Sequence, residues 1–287
     1  MVVEVTFPVR YAEVDAQHVV YYAHHVAWFE LGYEALFAAL GRPLGEERPL
    51  VLEAACRYLA PVRYGETVTV RSQALGAEEG HLWVAHEIVV QGKVRAQGAT
   101  LLEGAGHLHP VPAPPPPERL ADWGSLFPHG REERFPLRVR YAESDPTRGA
   151  HFARYLDWFE VGRIAFLHRL GLDYARMETA DIPFMIAWAG CRYLSPVHFD
   201  REVELAVWVE EVRRRSFALG YRIADEEGAI VAVGRTVQAF VQRELRSTPM
   251  PEWVRAVLLE ALAGKTSGPA GPVARPAPSS GLTPLPG

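Results

Sequence analysis

The chain has 287 residues, 48% of them apolar and 23% charged, which is enough for two ordinary globular domains with hydrophobic cores. Its net charge of -5 and isoelectric point near 6.1 argue against binding to nucleic acid or to an anionic membrane, which both require a basic surface. No apolar run reaches the roughly 18 residues of a spanning helix, no signal peptide is predicted, and two cysteines make no disulfide framework, so we expect a cytoplasmic protein.

The first half predicts one strand, one helix and then a run of strands. Residues 3–12 are rich in β-forming residues, and residues 23–40 place apolar side chains at the spacing of a helix face. Gly41 lies where a helix-capping glycine belongs. Three or four long, partly alternating segments follow and predict an antiparallel meander. A single helix with so broad an apolar face must be wrapped by a sheet, which predicts an α+β layering.

Proline and glycine mark the predicted boundaries. The segment PVPAPPPP predicts a stiff linker, and the Pro/Gly/Ser-rich end of the chain predicts a disordered tail. The predicted division is a first domain at 1–109, a linker with a short helix at 110–133, a second domain at 134–247, a helix at 248–264 and a tail at 265–287.

The second half repeats the first, with a predicted strand at 134–143 and a predicted helix at 153–170. Residues 9–41 align with residues 139–171 without a gap and are identical at 14 of the 33 positions. Further matches are CRYLAPV at 56–62 with CRYLSPV at 191–197, Gly98 with Gly234, and Thr100 with Thr236. A repeat of this length indicates a duplicated domain rather than a solenoid unit.

Asp15 and its repeat Asp145 each follow the first strand and precede the helix by about eight residues. At that place a carboxylate faces the free N–H groups of a helix N-terminus, which favour negative charge. A turn-forming aspartate is the structural alternative. However, the loop AQHVVYYAHH after Asp15 is apolar and aromatic rather than rich in Gly, Ser and Asn. A carboxylate against an apolar wall suits a nucleophile or general base, and the backbone donors suit an oxyanion.

The segment RYAEVDAQHVVYYAHHVAWFE resembles the signature of the hotdog-fold acyl-CoA thioesterases of the 4-hydroxybenzoyl-CoA thioesterase family. The later segment CRYLAPVRYGETVTV resembles the next strand of that family, and the resemblance covers residues 3–104 and 134–244. It implies an α+β fold of two tandem hotdog domains, each a helix wrapped by a curved antiparallel sheet, forming an internal pseudo-dimer. It also favours further association of such pairs into homo-oligomers.

The resemblance implies a thioester hydrolase in which Asp15, and by repeat Asp145, attacks the thioester or activates water. The backbone N–H groups expected to polarise the thioester carbonyl belong to Tyr22, Ala23, Phe152 and Ala153. The side chains expected to line two acyl pockets are Tyr21, Tyr22, His25 and Trp28 in one, and His151, Phe152, Tyr155 and Trp158 in the other. Plain core packing is the alternative for Trp28 and Trp158. The implied substrate is an acyl-CoA or acyl carrier protein thioester, with no separate cofactor.

The chain departs from the family pattern in the loop after each aspartate. His18 and Arg148 stand where many members have glycine, and Tyr22 and Phe152 stand where some have histidine. A histidine assistant is therefore missing at that place in both halves. His18 or His151 either substitutes for it or is an ordinary loop residue.

Three successive arginines, Arg213, Arg214 and Arg215, occupy a predicted strand turn. Arginine pairs with phosphate in a bidentate manner, and in the family basic residues here hold CoA phosphates for the partner hotdog's site. The corresponding first-half turn, GAEEGH, is acidic. The sequence therefore predicts one productive site, Asp15 with the arginines, and a weak or silent site at Asp145 beside Glu78 and Glu79.

The remaining polar candidates favour structural roles. The histidines near Asp15 lack the spacing of a zinc site, so no metal is expected. Cys56 and Cys191 predict small core residues. Predicted structural partners of Arg10 and Arg140 are Glu13, Glu30, Glu143 and Glu160.

Two other function classes remain open. Hotdog hydratases and dehydratases pair an aspartate with a histidine a few residues on, and the Asp15–His18 spacing does not match that pattern. A non-catalytic acyl-CoA binding or sensing module would bind thioesters without releasing thiol.

Overall fold

The computed structural model describes residues 1–45, 48–78, 80–104, 128, 130–173, 177, 184–242 and 246–264. The first half contains β1 (Val2–Pro8), α1 (Tyr22–Ala39), β2 (Leu50–Tyr58), β3 (Thr67–Glu78), β4 (His81–Val90) and β5 (Lys93–Glu103). The second half contains β6 (Glu132–Arg138), α2 (Arg154–Arg169), β7 (Phe184–Tyr193), β8 (Glu202–Val212), β9 (Ser216–Asp225), β10 (Ile230–Phe240) and α3 (Glu252–Leu262).

The strands of the described residues form one antiparallel sheet in the order β1-β3-β4-β5-β2-β7-β10-β9-β8-β6. Helix α1 contacts all five strands of its half, which a sheet offers only if it curves around the helix. Helix α2 contacts β6, β7 and β8 in the same way. The predicted α+β fold, a helix wrapped by a sheet in each half, is confirmed.

The two halves join through β2 and β7 at the centre of the sheet. Ala55 lies opposite Gly190, its counterpart in the repeat. On either side of that pair, Cys56 lies opposite Ala189 and Ala54 lies opposite Cys191. A half-turn about the Ala55–Gly190 pair therefore exchanges the halves, as in an isologous dimer interface. The predicted internal pseudo-dimer is confirmed, and both cysteines are buried and unpaired as predicted.

The apolar face of α1 packs into the concave side of the sheet. Val26, Phe29 and Leu36 of the predicted stripe are completely buried, whereas Leu40 is only partly buried. The helix ends at Ala39, and Gly41 follows with a φ of +75°, the left-handed conformation expected of a capping glycine. The helix prediction for the first half is thus correct to within one residue at each end.

The recurrence of Gly98 and Gly234 has a packing reason. A Cβ atom on Gly98 would lie 2.4 Å from the ring of Phe29 and 2.4 Å from the carbonyl oxygen of Ala55. A Cβ atom on Gly234 would lie 2.2 Å from the ring of Phe159, the repeat of Phe29. Each glycine therefore lets one helix phenylalanine rest directly on the sheet backbone.

The first strand of each half ends earlier than predicted. Strands were expected at 3–12 and 134–143, but β1 ends at Pro8 and β6 at Arg138 because a 3-10 turn follows in each half. In the first turn the Arg10 N–H and guanidinium donate to the Glu13 carboxylate at 2.7 Å and 2.8 Å. Arg140 binds Glu143 in the same way. These two pairings confirm two of the four predicted structural glutamates.

The predicted boundaries fall largely outside the described residues. The structure does not describe most of the predicted linker at 110–133 with its short helix, nor the predicted tail at 265–287. These predictions therefore stay untested. Within the described residues β6 already begins at Glu132, and α3 lies inside the expected range 248–264.

A buried histidine stands in the core of the first half. His86 is 1% exposed, with Nδ1 at 2.7 Å from the Ser72 hydroxyl and Nε2 at 3.0 Å from the Thr100 hydroxyl. The ring of Phe29 stacks on the imidazole. Burial lowers the pKa of His86 to about 3, so the imidazole is neutral in the folded protein. In the second half Tyr221, bonded to Thr236, takes this position.

His86 is expected to make the folded state sensitive to acid. The unfolded chain takes up a proton near the ordinary pKa of 6.5 and the folded chain only near 3, so the free energy of unfolding falls as the pH falls between these values. One such proton costs up to about 1.4 kcal/mol per pH unit. His86→Gln, which bonds without titrating, should flatten this dependence in urea unfolding between pH 7 and pH 4. Equal pH dependence in both proteins would refute the assignment.

Candidate active site

The first loop, residues 14–21, is a tight turn between the 3-10 turn and α1. The Asp15 N–H donates to the Val19 carbonyl at 2.9 Å, and the His18 N–H donates to the Asp15 carbonyl at 3.0 Å. His18 has a φ of 60° and Arg148 a φ of 66°, the left-handed region. This conformation gives the physical reason why glycine is common at that place in the resembled family. In this chain His18 and Arg148 adopt the same left-handed backbone conformation although both carry side chains.

The Asp15 carboxyl is held in place and electrostatically perturbed. Its Oδ1 accepts the Gln17 N–H at 2.8 Å. Burial raises the pKa of Asp15, and the nearby negative charge of Glu160 raises it further, whereas the backbone N–H of Gln17 opposes the rise. A carboxylate with a raised pKa is a stronger base, which is what nucleophilic or general-base chemistry requires.

Two backbone donors at the start of α1 are unpaired among the described residues. The helix begins at Tyr22, so the N–H groups of Tyr22 and Ala23 have no partner within the helix. Neither donates to another acceptor among the residues that the structure describes. The first half therefore presents a carboxylate and two unpaired N–H groups on one short stretch, and their predicted catalytic roles stay a prediction.

The second loop, residues 144–151, repeats this geometry with two differences. Asp145 Oδ1 accepts the Thr147 N–H at 2.8 Å and also the Thr147 hydroxyl at 2.5 Å. Helix α2 begins only at Arg154, and the Ala153 N–H donates to Nδ1 of His151 at 3.3 Å. The predicted donor pair Phe152–Ala153 thus precedes the helix, and one of its two N–H groups is occupied.

Each loop is completed by the helix of the other half. Tyr21 Oη donates to Glu160 Oε2 at 2.5 Å, and burial raises the pKa of this phenol, which stays protonated. In the reciprocal contact His151 Nε2 lies 3.1 Å from Glu30 Oε2. Burial tends to raise the pKa of Glu30, but its interactions with His151, Arg48 and Tyr33 together outweigh burial, and the pKa is lowered.

These contacts correct the predicted partners of Glu30 and Glu160 and make both glutamates candidates for the functional site. Glu30 and Glu160 were expected to pair with Arg10 and Arg140, but they face the opposite loops instead. Their recurrence in both halves was the available signal. The sequence alone does not reveal which helix a loop will face, so the cross-half partnership was missed.

Most of the predicted acyl-pocket side chains lie in the packed core. Trp28 is buried, donates its indole N–H to Glu13 at 3.1 Å, and packs on His25 with ring centroids 5.2 Å apart. Tyr155 and Trp158 make the corresponding contact in the second half, at 4.6 Å. Core packing, the alternative considered for the tryptophans, describes these contacts.

The aromatic residues at the start of α1 contact the second half instead. The Tyr22 hydroxyl donates to the Leu156 carbonyl, and the guanidinium of Arg163 lies 5.3 Å from the centre of the Tyr22 ring. Tyr21 at the end of the first loop and Tyr22 at the start of α1 thus both contact the second half. Phe152, at the corresponding place, has no hydroxyl and packs against His151 at 4.4 Å.

The turn Arg213–Arg215 lies at the same end of the sheet as the first loop. The Val20 N–H of that loop donates to the Val62 carbonyl just beyond the end of β2. Strand β7 runs antiparallel to β2 and begins at this end with Phe184, which pairs with Phe240 of β10. The Phe240 N–H in turn donates to the Arg215 carbonyl at 2.9 Å. Three strand spacings, about 14 Å, therefore separate β2 from β9 and this turn.

All three arginines of this turn are exposed. Arg213 pairs with Glu211 at 2.5 Å, and Arg215 donates to the Ser247 carbonyl at 2.9 Å. Arg214 has no side-chain partner within the described part of the chain. The sequence predicted an acidic turn at Glu78 and Glu79 as the first-half counterpart of this arginine turn. Glu79 and the side chain of Glu78 lie outside the described part of the chain, so that prediction stays untested.

No cluster of three His, Cys, Asp or Glu side chains arranged to hold a metal ion occurs among the described residues. In the same part of the chain, no helix is both long and apolar enough to cross a membrane.

Comparison with known proteins gives consistent matches over both halves. The family model of the thioesterase-like superfamily matches residues 9–123 and 139–258. A protein of Bacillus subtilis strain 168, provisionally named as an acyl-CoA thioesterase, is 29% identical over 108 residues, which are 38% of this chain and 78% of that protein.

Two solved structures superpose on most of the chain. One is a provisionally assigned oleoyl thioesterase from Lactobacillus plantarum, with a TM-score of 0.62, 14% identity, and coverage of 84% of this chain and 96% of that one. The other is an acyl-ACP thioesterase from Bacteroides thetaiotaomicron, with a TM-score of 0.62, 12% identity, and coverage of 83% and 97%. At such low identity these matches show a shared fold of tandem halves.

Proposed function

Because the chain belongs to the thioesterase-like superfamily, we propose that it hydrolyses an acyl-CoA thioester at a site formed by the first loop and the second half. A thioester hydrolase is the enzyme class that both the family and the named relatives support. The observation that carries the proposal is the combination of Asp15, with its raised pKa, and the unpaired N–H groups of Tyr22 and Ala23.

In the proposed reaction the Asp15 carboxylate acts on the thioester carbonyl carbon. Direct attack forms an acyl–Asp15 anhydride and releases the CoA thiolate, and water then hydrolyses the anhydride to the free acid. In the alternative route Asp15 takes a proton from a water molecule that attacks the same carbon. Either way negative charge develops on the carbonyl oxygen, where two N–H donors at a helix start stabilise it.

The second half contributes to this proposed site in two ways. Glu160 holds Tyr21 and raises the pKa of Asp15 from across the pseudo-dimer. The Arg213–Arg215 turn offers guanidinium groups at the same end of the sheet, within reach of an extended pantetheine arm. Arginine binds phosphate through charge-assisted hydrogen bonds, so this turn is the proposed CoA phosphate site.

Thiol release from a panel of acyl-CoA esters tests the proposal directly. Hydrolysis of at least one ester with turnover supports it. Saturable binding without thiol release would instead favour a binding or sensing module. A parallel panel of acyl carrier protein thioesters decides which carrier the enzyme prefers.

Arg214→Ala is expected to raise the KM for acyl-CoA about 10-fold with little change in kcat. A hydrogen bond to a charged group is worth about 1.5–3 kcal/mol, and phosphates far from the reacting carbon bind equally in ground and transition states. The matched control is Arg201→Ala, an exposed arginine near the second loop, which should leave KM unchanged. An acyl-N-acetylcysteamine, which has no phosphate, should be hydrolysed equally by both variants. Loss of activity on that small thioester would rule out a phosphate role.

A further inference from the structure

His151 is held on both of its ring nitrogens. Nδ1 accepts the Ala153 N–H at 3.3 Å, so the ring proton of the neutral imidazole resides on Nε2. Nε2 in turn donates to Glu30 across the pseudo-dimer at 3.1 Å. The Glu30 carboxylate thereby fixes both the orientation and the tautomer of the ring. The ring nitrogen that faces the start of α2 is an acceptor, and it is occupied by a backbone donor.

The matching residue of the first loop makes only one of these two contacts. Tyr21 donates its hydroxyl to Glu160, just as His151 donates to Glu30. A phenol ring has no nitrogen that could accept a backbone N–H. Consequently Ala23, the counterpart of Ala153, keeps its N–H free among the described residues. The substitution of histidine for tyrosine therefore preserves the cross-half contact and removes a backbone donor from the loop.

The aspartates of the two loops also differ in how many hydrogen bonds their carboxylates accept. Asp15 Oδ1 accepts one N–H from residue 17, whereas Asp145 Oδ1 accepts both the N–H and the hydroxyl of Thr147. The Thr147 hydroxyl thus occupies a carboxylate oxygen of Asp145 that in Asp15 accepts only the backbone N–H of residue 17. Two independent local changes thus weaken the second loop as a hydrolytic site.

We propose that His151 is a positioning residue that keeps the Asp145 site closed to thioester hydrolysis by occupying the Ala153 N–H. The inference rests on the proposed function, because it assumes that the paired N–H groups stabilise the oxyanion. His151 then accounts for part of the difference between the two sites, beside the hydrogen bond from the Thr147 hydroxyl to Asp145. Removing one oxyanion donor typically costs about 10²–10³-fold in kcat, so its return should be measurable.

The test starts from Asp15→Asn, which leaves only the Asp145 site, and adds His151→Tyr to recreate the first-half residue. The probes are butyryl- and benzoyl-N-acetylcysteamine, which need no phosphate clamp. We expect the added substitution to raise the rate of thiol release about 10-fold or more, as returning an oxyanion donor should. The reciprocal pair is Asp145→Asn with and without Tyr21→His, and there the histidine should lower the rate by a similar factor.

A merely structural role of His151 predicts no gain of activity from its replacement. His151→Phe serves as a second variant, because it frees the Ala153 N–H and also removes the contact to Glu30. If both variants fold, as judged by thermal unfolding, and neither is faster than Asp15→Asn alone, the inference is wrong. If the unaltered protein releases no thiol from any ester, the proposed function is wrong, and the inference about His151 is wrong as a consequence.

Discussion

Asp15→Asn is expected to lower the rate of acyl-CoA hydrolysis by about 10²–10⁴-fold, the range that a positioned acid–base group contributes. Asparagine has nearly the same shape and still accepts the Gln17 N–H through its carbonyl oxygen, so the loop should keep its conformation. It lacks the negative charge that either attacks the thioester or takes a proton from water. The measurement is thiol release at saturating substrate, with acyl-CoA binding followed separately.

The matched control is Asp145→Asn, which makes the same change in the other half. It is expected to retain most of the activity, because Asp145 is more strongly hydrogen-bonded and one of its two neighbouring donors is occupied. Equal losses in the two variants would show that both sites turn over substrate. Full activity in Asp15→Asn would remove this aspartate from the mechanism altogether.

Gly98→Ala is expected to lower the free energy of unfolding by about 3 kcal/mol, at the upper end of the cost of overpacking a core. The added methyl group would lie 2.4 Å from both the Phe29 ring and the Ala55 carbonyl oxygen. Neither neighbour yields easily, because the ring is fully buried and the carbonyl belongs to a paired strand. Helix α1 would have to lift from the sheet.

Gly76→Ala is the control for this substitution, since a Cβ atom there meets nothing within 4 Å. Its unfolding midpoint in urea should match that of the unaltered protein, whereas Gly98→Ala and its repeat Gly234→Ala should both shift to lower urea. A Gly98→Ala protein as stable as the Gly76→Ala control would mean that the helix–sheet contact is looser than the structure indicates.

The sequence predicted the architecture well because local patterns determine it. The apolar stripe from Val26 to Leu36 predicts the helix of the first half. The glycines Gly41 and Gly171 mark the ends of the two helices. The duplicated sequence predicted that the two halves form a pseudo-dimer. The early ends of the first strands were missed, since the Arg10–Glu13 pairing closes a turn that strand propensity does not register.

The candidate site was predicted only in part, for a different reason. Asp15, Tyr22 and Ala23 lie in one short segment, so the sequence pattern and family resemblance sufficed to group them. The contacts of Tyr21 with Glu160 and of His151 with Glu30 join residues more than a hundred positions apart. They depend on how β2 meets β7, and no spacing along the chain encodes that register.

The central β2–β7 pairing has a consequence for how this molecule changes over generations. In a homodimer of single-copy subunits, one mutation appears at both symmetry-related places, so a change that harms one active site harms its twin. Here the half-turn about Ala55 and Gly190 relates two separately encoded copies. A mutation in one copy therefore leaves the other copy unchanged, and the two loops can carry tyrosine on one side and histidine on the other.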